Sequence, residues 1–385
     1  MTNFNKIISK LIFIGIATLL LLINSLGCVN TPDVKETPEE PLGLLWGHKY
    51  DYIGWGPRAT PAPVGDSLVI MTGDQHVSCI RTDSGSLKWQ YPVPGGREAK
   101  IWRLLFDDTQ FFGWQQAERE VLFALDLDTG NENWSIDSCA HWDNHGVGPA
   151  YYSPHGREAF KISLNGVMLD TVTSDQAFDS MSYYNGKVYG CFGWSPPNNP
   201  KSVGRIVCYD EETMDSLWVH EEPGGGFALC YPVFEDGVMY IGTIWGENNK
   251  VLAINAETGD LIWEQGNNDI AAIKVLPLLD KIFIEAGAAI YALEKENGQQ
   301  LWRTNLANPD NTPTLSYWGG YLYVENFGTL FILDATTGEI KHGMHGPDGA
   351  SVEQVSTGAG KVFVQSTEHL YAFSPYDPEK DSDDE

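Results

Sequence analysis

The chain has 385 residues, with 52 acidic against 24 basic side chains and a formal net charge of −28. This balance argues against nucleic acid as a partner, because such binding rests on cationic contacts to phosphates. It argues equally against anionic lipid headgroups.

Lys6 and Lys10 lead into an apolar run over 11–23, followed by Ser25-Leu26-Gly27-Cys28. A basic flank, a short apolar core and a small residue at its end predict an export signal over 1–27, outside the fold. Cys28 in this setting resembles the modified cysteine of a lipoprotein cleavage site, with Ser25 standing where Leu is commoner. The resemblance implies that Cys28 carries two acyl chains, enough for stable attachment to a lipid bilayer. An uncleaved anchor helix is the alternative, although the run is short against the ~20 residues of a span. Val29 rather than Asp after Cys28 implies the outer membrane, facing the periplasm, with the cell surface as the other location. Residues 28–43 contain Pro32, Pro38, Pro41 and four acids and read as a solvated tether.

From residue 44 one phrase recurs seven times. An aliphatic pair leads into a turn, usually closed by Gly, and then usually to Trp. Two clear copies are Ala124-Leu-Asp-Leu-Asp-Thr-Gly130-Asn-Glu-Asn-Trp134 and Ala253-Ile-Asn-Ala-Glu-Thr-Gly259-Asp-Leu-Ile-Trp263. The turn positions are 85, 130, 166, 214, 259, 298 and 338, with gaps of 36 to 48 residues. That spacing fits four short strands, A to D, with their turns: one propeller blade. Runs such as Lys281-Ile-Phe-Ile284 and Tyr321-Leu-Tyr-Val324 follow tight-turn sequences and supply strand B. The Gly holds a left-handed turn position, and the Trp of strand D is predicted to plug the seam to the next blade.

After Gly338 an A–B–C set ends at Pro375 without a strand D, whereas Leu44-Leu-Trp46-Gly-His-Lys-Tyr50 reads as a strand D alone. Joining them closes the circle. The prediction is therefore an all-β, eight-bladed propeller of four-stranded antiparallel blades over 44–374. Blade 3 is the weakest copy, with Leu169 standing in for its Trp, and a seven-bladed ring is the fallback. Residues 375–385 read as a disordered acidic tail.

The phrase resembles the PQQ-like propeller repeats along nearly all of 44–374. That resemblance implies the fold but not one function, since the repeat serves quinoprotein dehydrogenases, BamB-type lipoproteins of outer-membrane barrel assembly and many binding proteins. The dehydrogenases carry adjacent cysteines and a Glu/Asn/Asp calcium set. This chain has no Cys-Cys pair, and its calcium ligands cannot be placed, so neither PQQ nor calcium is expected and no catalytic residue is assigned. Of the five cysteines left after Cys28, Cys191 and Cys208 form the one candidate disulfide; the odd count leaves at least one thiol unpaired.

In a propeller the C–D and A–B turns share one face, and the B–C loops and D–A connections share the other. The C–D turns here are uniform. The opposite face is irregular and collects Trp55, Arg58, Arg97, Trp102, Arg103, Trp114, His141, Trp142, Asp143, His145, Trp194 and Trp245. Aromatics with a few charged residues make a binding face for protein segments or sugars. The alternative reading is that each Trp merely covers the end of a blade. His141 and His145 stand four apart in a loop, a spacing without meaning for metal outside a helix, so no metal is assigned. The expected function is a monomeric, lipid-anchored, non-catalytic scaffold for protein partners of the cell envelope, BamB-like in outer-membrane protein assembly. A carbohydrate- or ligand-binding surface lipoprotein is the first alternative, and a PQQ-dependent dehydrogenase the second.

Overall fold

The computed structural model describes residues 42–50, 59–72, 76–93, 104–115, 121–137, 146–193, 203–223, 225–227, 231–244, 249–266, 272–286, 289–306 and 314–381. Eight four-stranded antiparallel sheets form the propeller, and in seven of them the strands run in chain order from A to D. These blades span 62–92, 105–137, 146–173, 178–223, 233–266, 272–305 and 314–344. The eighth takes A, B and C from 352–373 and borrows Leu44–Lys49 as its strand D, which lies antiparallel to His369–Phe373. Blade 3 is complete, so the ring has eight blades rather than seven.

The core consists of eight separate apolar clusters, one in each seam between neighbouring blades. Strand geometry dictates this. Side chains alternate across a sheet, so one set from each strand B and C meets the blade before, and the other set meets the blade after. The seam of blades 4 and 5 shows it: Tyr189 and Cys191 from one side pack with Met239 and Ile241 from the other.

A single device recurs at the outer end of most seams. The Trp of strand D sits opposite a strand C residue, usually Ala or Cys: Trp89 faces Cys79, Trp134 Ala124, Trp263 Ala253, Trp302 Ala292 and Trp46 Ala372. The indole then crosses onto the C–D turn of the next blade. There the Nε1–H of Trp46, Trp89, Trp134 and Trp263 donates to the carbonyls of Thr82, Leu127, Leu164 and Lys295, at 2.8–3.0 Å. The turn glycine has positive φ and lies flat against the ring. A Cβ on Gly130 would stand 2.5 Å from the Trp89 ring, and one on Gly298 would stand 2.6 Å from that of Trp263. Glycine thus serves two needs at once, a left-handed backbone and a site for the indole.

The seam between blades 3 and 4 departs from this device. The bulge that follows the Trp partner in the other blades recurs between Lys161 and Ile162, but Asp170, not Leu169, occupies the Trp position. Lys161 replaces the small strand C residue. Its ammonium donates to the carbonyl of Glu211, the turn carbonyl equivalent to those the indoles use elsewhere. It also pairs with the Glu211 carboxylate at 2.9 Å, to which the Tyr152 hydroxyl donates at 2.8 Å. With no indole above it, the turn needs no glycine. Met214 stands there with φ of 56°, and its side chain is buried in the seam cluster.

The seam of blades 7 and 8 has a different substitute. His342 takes the Trp position opposite Ile332. Tyr376, placed by the sequence in the tail, is instead buried beside it, with its backbone N–H donating to the Tyr323 hydroxyl at 2.9 Å. The ordered chain therefore continues through the short helix Pro378–Asp381.

Candidate protein-binding face

Most of the predicted face falls outside the described residues. Trp55, Arg58, Arg97, Trp102, Arg103, His141, Trp142, Asp143, His145, Trp194 and Trp245 all lie there, as does Cys28. Trp114 is described, and it is a correction. It is 4% exposed and packs with Phe112, Tyr151 and Ile162 in the seam of blades 2 and 3, so it fills the core and presents no surface. The aromatic at the end of a strand B looked like a loop residue because the strand continues to Gln115.

The described part of this face is built by close backbone packing. Gly226, on the connection from blade 4 to blade 5, forms a two-way bridge with Ile244, at 3.1 and 2.9 Å. A Cβ on Gly226 would lie 2.4 Å from the carbonyl oxygen of Gly193, so the run Pro223-Gly-Gly-Gly226 allows three backbone segments to meet. Phe227 follows as a fully buried plug.

Charge on this face is arranged in clusters with more acid than base. Lys250 lies 2.8 Å from Glu264 and 3.1 Å from Glu222, whose side chain is 7% exposed. The hydrogen bond to Glu264 leads the effects that raise the Lys250 pKa. Arg205 pairs with Asp175 at 3.0 Å and Glu221 at 3.3 Å. Each cation serves two carboxylates, so each cluster keeps a net negative charge. This offers shape and negative potential to a partner.

Blades 7 and 8 contribute the most fully described stretch. A two-residue turn, Phe327-Gly328, joins Tyr321–Asn326 to Thr329–Asp334, next to the connection 345–351. Phe327 is 67% exposed. Sequence reading missed it, although the signal was there: an aromatic in a hairpin turn where Asn or Asp is the rule.

The predicted disulfide does not form. Cys191 pairs across the ladder with Ile206, and Cys208 with Tyr189, so the two cysteines are diagonal neighbours on one face. Such positions lie ~7–8 Å apart, beyond what a disulfide spans. Cys79, Cys191 and Cys208 are buried free thiols, and burial pushes each up to about 12. At pH 8 the thiolate fraction is then about 1,000-fold below that of a thiol with the ordinary value of 9.0. Residue-resolved alkylation by iodoacetamide is expected to leave all three unmodified in the native protein and to label them in urea. Native labelling comparable to that in urea would contradict the packing.

Comparison with known proteins adds to this geometry. The family model described as "Outer membrane protein assembly factor BamB" matches residues 40–151, 202–288 and 285–380. The gap between matches contains most of blade 3, where the Trp device is lost. The serine/threonine-protein kinase AfsK of Streptomyces griseus is 30% identical over 182 residues, which cover 44% of this chain. This chain spans only 22% of the kinase's length. The crystal structure of BamB from Moraxella catarrhalis aligns with a TM-score of 0.64 at 17% identity, over 87% of this chain and 98% of that one. The computationally designed protein Ika8 aligns with a TM-score of 0.66 at 13% identity, over 86% of this chain and all of its own. At such identities the structural likenesses speak for the fold alone, whereas the family matches extend over most of the sequence. The chain belongs to the family described as outer membrane protein assembly factor BamB.

Proposed function

We propose that this protein is a non-catalytic, monomeric scaffold, anchored through acylated Cys28 and facing the periplasm from the outer membrane, that binds a protein partner in outer-membrane protein assembly. The family match over three segments carries this reading. The division of the propeller into two unlike faces supports it. The C–D turns are spent on seating indoles, which leaves the face of irregular loops for recognition. The chemistry of the described residues points the same way: the thiols are buried and protonated, and the carboxylates around Lys250 and Arg205 are engaged in ion pairs.

Replacing Cys28 by Ala tests the reading in the cell. The membrane-bound fraction is expected to fall about tenfold or more, since the acyl chains supply the attachment. The abundance of outer-membrane β-barrels should fall with it. Retention of Cys28→Ala in the membrane would overturn the anchor. Unchanged barrel levels in a strain lacking the protein would overturn the assembly role. Dye reduction after incubation with PQQ and calcium would overturn the non-catalytic reading, and capture of glycans in place of protein would favour the carbohydrate alternative.

A further inference from the structure

Phe327 opens the turn between strands B and C of blade 7 and is 67% exposed. The turn has positive φ at both central residues, 53° at Phe327 and 84° at Gly328. This two-residue turn matches the twist of the flanking strands and normally takes Asn, Asp or Gly first. The chain follows that preference at Asn185-Gly186, Asp236-Gly237 and Gly319-Gly320, whereas Leu279 and Ala359, like Phe327, are apolar residues at positive φ of 56° and 51°. An aromatic residue in the left-handed region is strained, and strain persists only where its surroundings enforce it.

Here they do. The Gly328 N–H donates to the Glu325 carboxylate at 3.0 Å. The Gly328 carbonyl accepts the Val352 N–H at 3.0 Å and lies 3.1 Å from Nδ1 of His345. Glu325 is itself buried, at 4% exposure. The turn is therefore held from its own blade and from the next, while the ring it carries is left largely in water. A large aromatic side chain that is rigidly presented and solvent-exposed is the form of an interface anchor, because little conformational freedom remains to be lost on binding.

The net charge of the chain indicates the partner's complement. On the neighbouring B–C turn Glu368, its side chain 55% exposed, lies 3.8 Å from the Lys49 ammonium, and the whole chain bears −28. A second copy of this chain would be repelled, as would an anionic membrane. Resting on the reading of this face as a protein-binding surface, we propose that Phe327 is its anchor. The ring inserts into an apolar socket on a partner protein, rimmed by lysine or arginine.

Photocrosslinking of the full-length, membrane-anchored protein tests this. Benzoylphenylalanine at position 327 is expected to form an adduct with a partner residue lying beside lysines or arginines. The adduct should weaken severalfold as salt rises, since rim charges are screened. The same probe at Leu279, which is 72% exposed at φ of 56° on the opposite face, should give less than about a tenth of that adduct.

A second measurement places the probe at His345 and replaces Phe327 by Asn, a residue suited to the turn. The variant should melt about 2 °C or more higher, because the strain is relieved. Its adduct from position 345 should fall at least tenfold. Leu279→Asn should also melt higher but leave the adduct intact. No protein adduct at 327, an adduct to lipid alone, or an undiminished adduct in Phe327→Asn would overturn the proposal. An adduct to a protein outside outer-membrane assembly would uphold the anchor and remove the assembly reading, so the two can fail separately.

Discussion

Gly130→Ala is expected to cost about 3–5 kcal/mol of stability, far more than the addition of one methyl group suggests. Three effects combine. The left-handed backbone at φ of 72° costs Ala about 1 kcal/mol relative to Gly. The new Cβ would stand 2.5 Å from the Trp89 ring, so the buried indole must move, and such overpacking costs ~1–3 kcal/mol. The displaced indole then loses its hydrogen bond to the Leu127 carbonyl, worth ~1 kcal/mol. Gly237→Ala is the control. Its φ is 78°, but nothing lies within 4 Å of its Cβ, so only the backbone effect of about 1 kcal/mol should appear. Urea unfolding followed by tryptophan fluorescence separates the two. Equal losses at both positions would refute the indole-seating account.

Lys161→Met should destabilise by about 3–5 kcal/mol, as breaking a buried ion pair does by leaving one charge uncompensated. The side chains of Lys161 and Glu211 are only 11% and 14% exposed. Glu211 would keep the Tyr152 hydroxyl but lose its cation, and its backbone carbonyl would lose its donor. Adding Glu211→Gln to Lys161→Met removes the stranded charge, so the double variant should be more stable than the sum of the single losses by about 1–3 kcal/mol. Strict additivity in urea unfolding would show that the pair does not hold the seam.

The repeat made the ring readable because the parts of each seam are close in sequence and chemically loud. Trp89 and Gly130 belong to successive copies of one phrase, and the structure places one on the other. The exceptions were harder for physical reasons. Met214 reads as drift in the repeat until Asp170 is known to have removed the indole it would have met. Asp170 stands four residues after Gly166, as Trp134 does after Gly130, so Leu169 is one residue short of the position that carries the Trp elsewhere. Cys191 and Cys208 appeared to be hairpin partners, but the ladder sets them two residues out of register. Recognition surfaces leave less trace. Trp114 drew attention as an aromatic near a loop and proved to be core, whereas Phe327, in a turn too short to be noticed, is exposed.

The borrowed strand in blade 8 also bears on how the ring forms. Gly43 accepts a hydrogen bond from the Ser374 backbone N–H at a sequence separation of 331. Closing so long a loop costs about 5 kcal/mol of chain entropy, and nothing offsets it until both edges of blade 8 exist. Strand Leu44–Lys49 is thus made first and paired last. A chain that leaves the ribosome in sequence cannot complete its circle before His369–Phe373 has been delivered, so ring closure waits for the last blade to be synthesised.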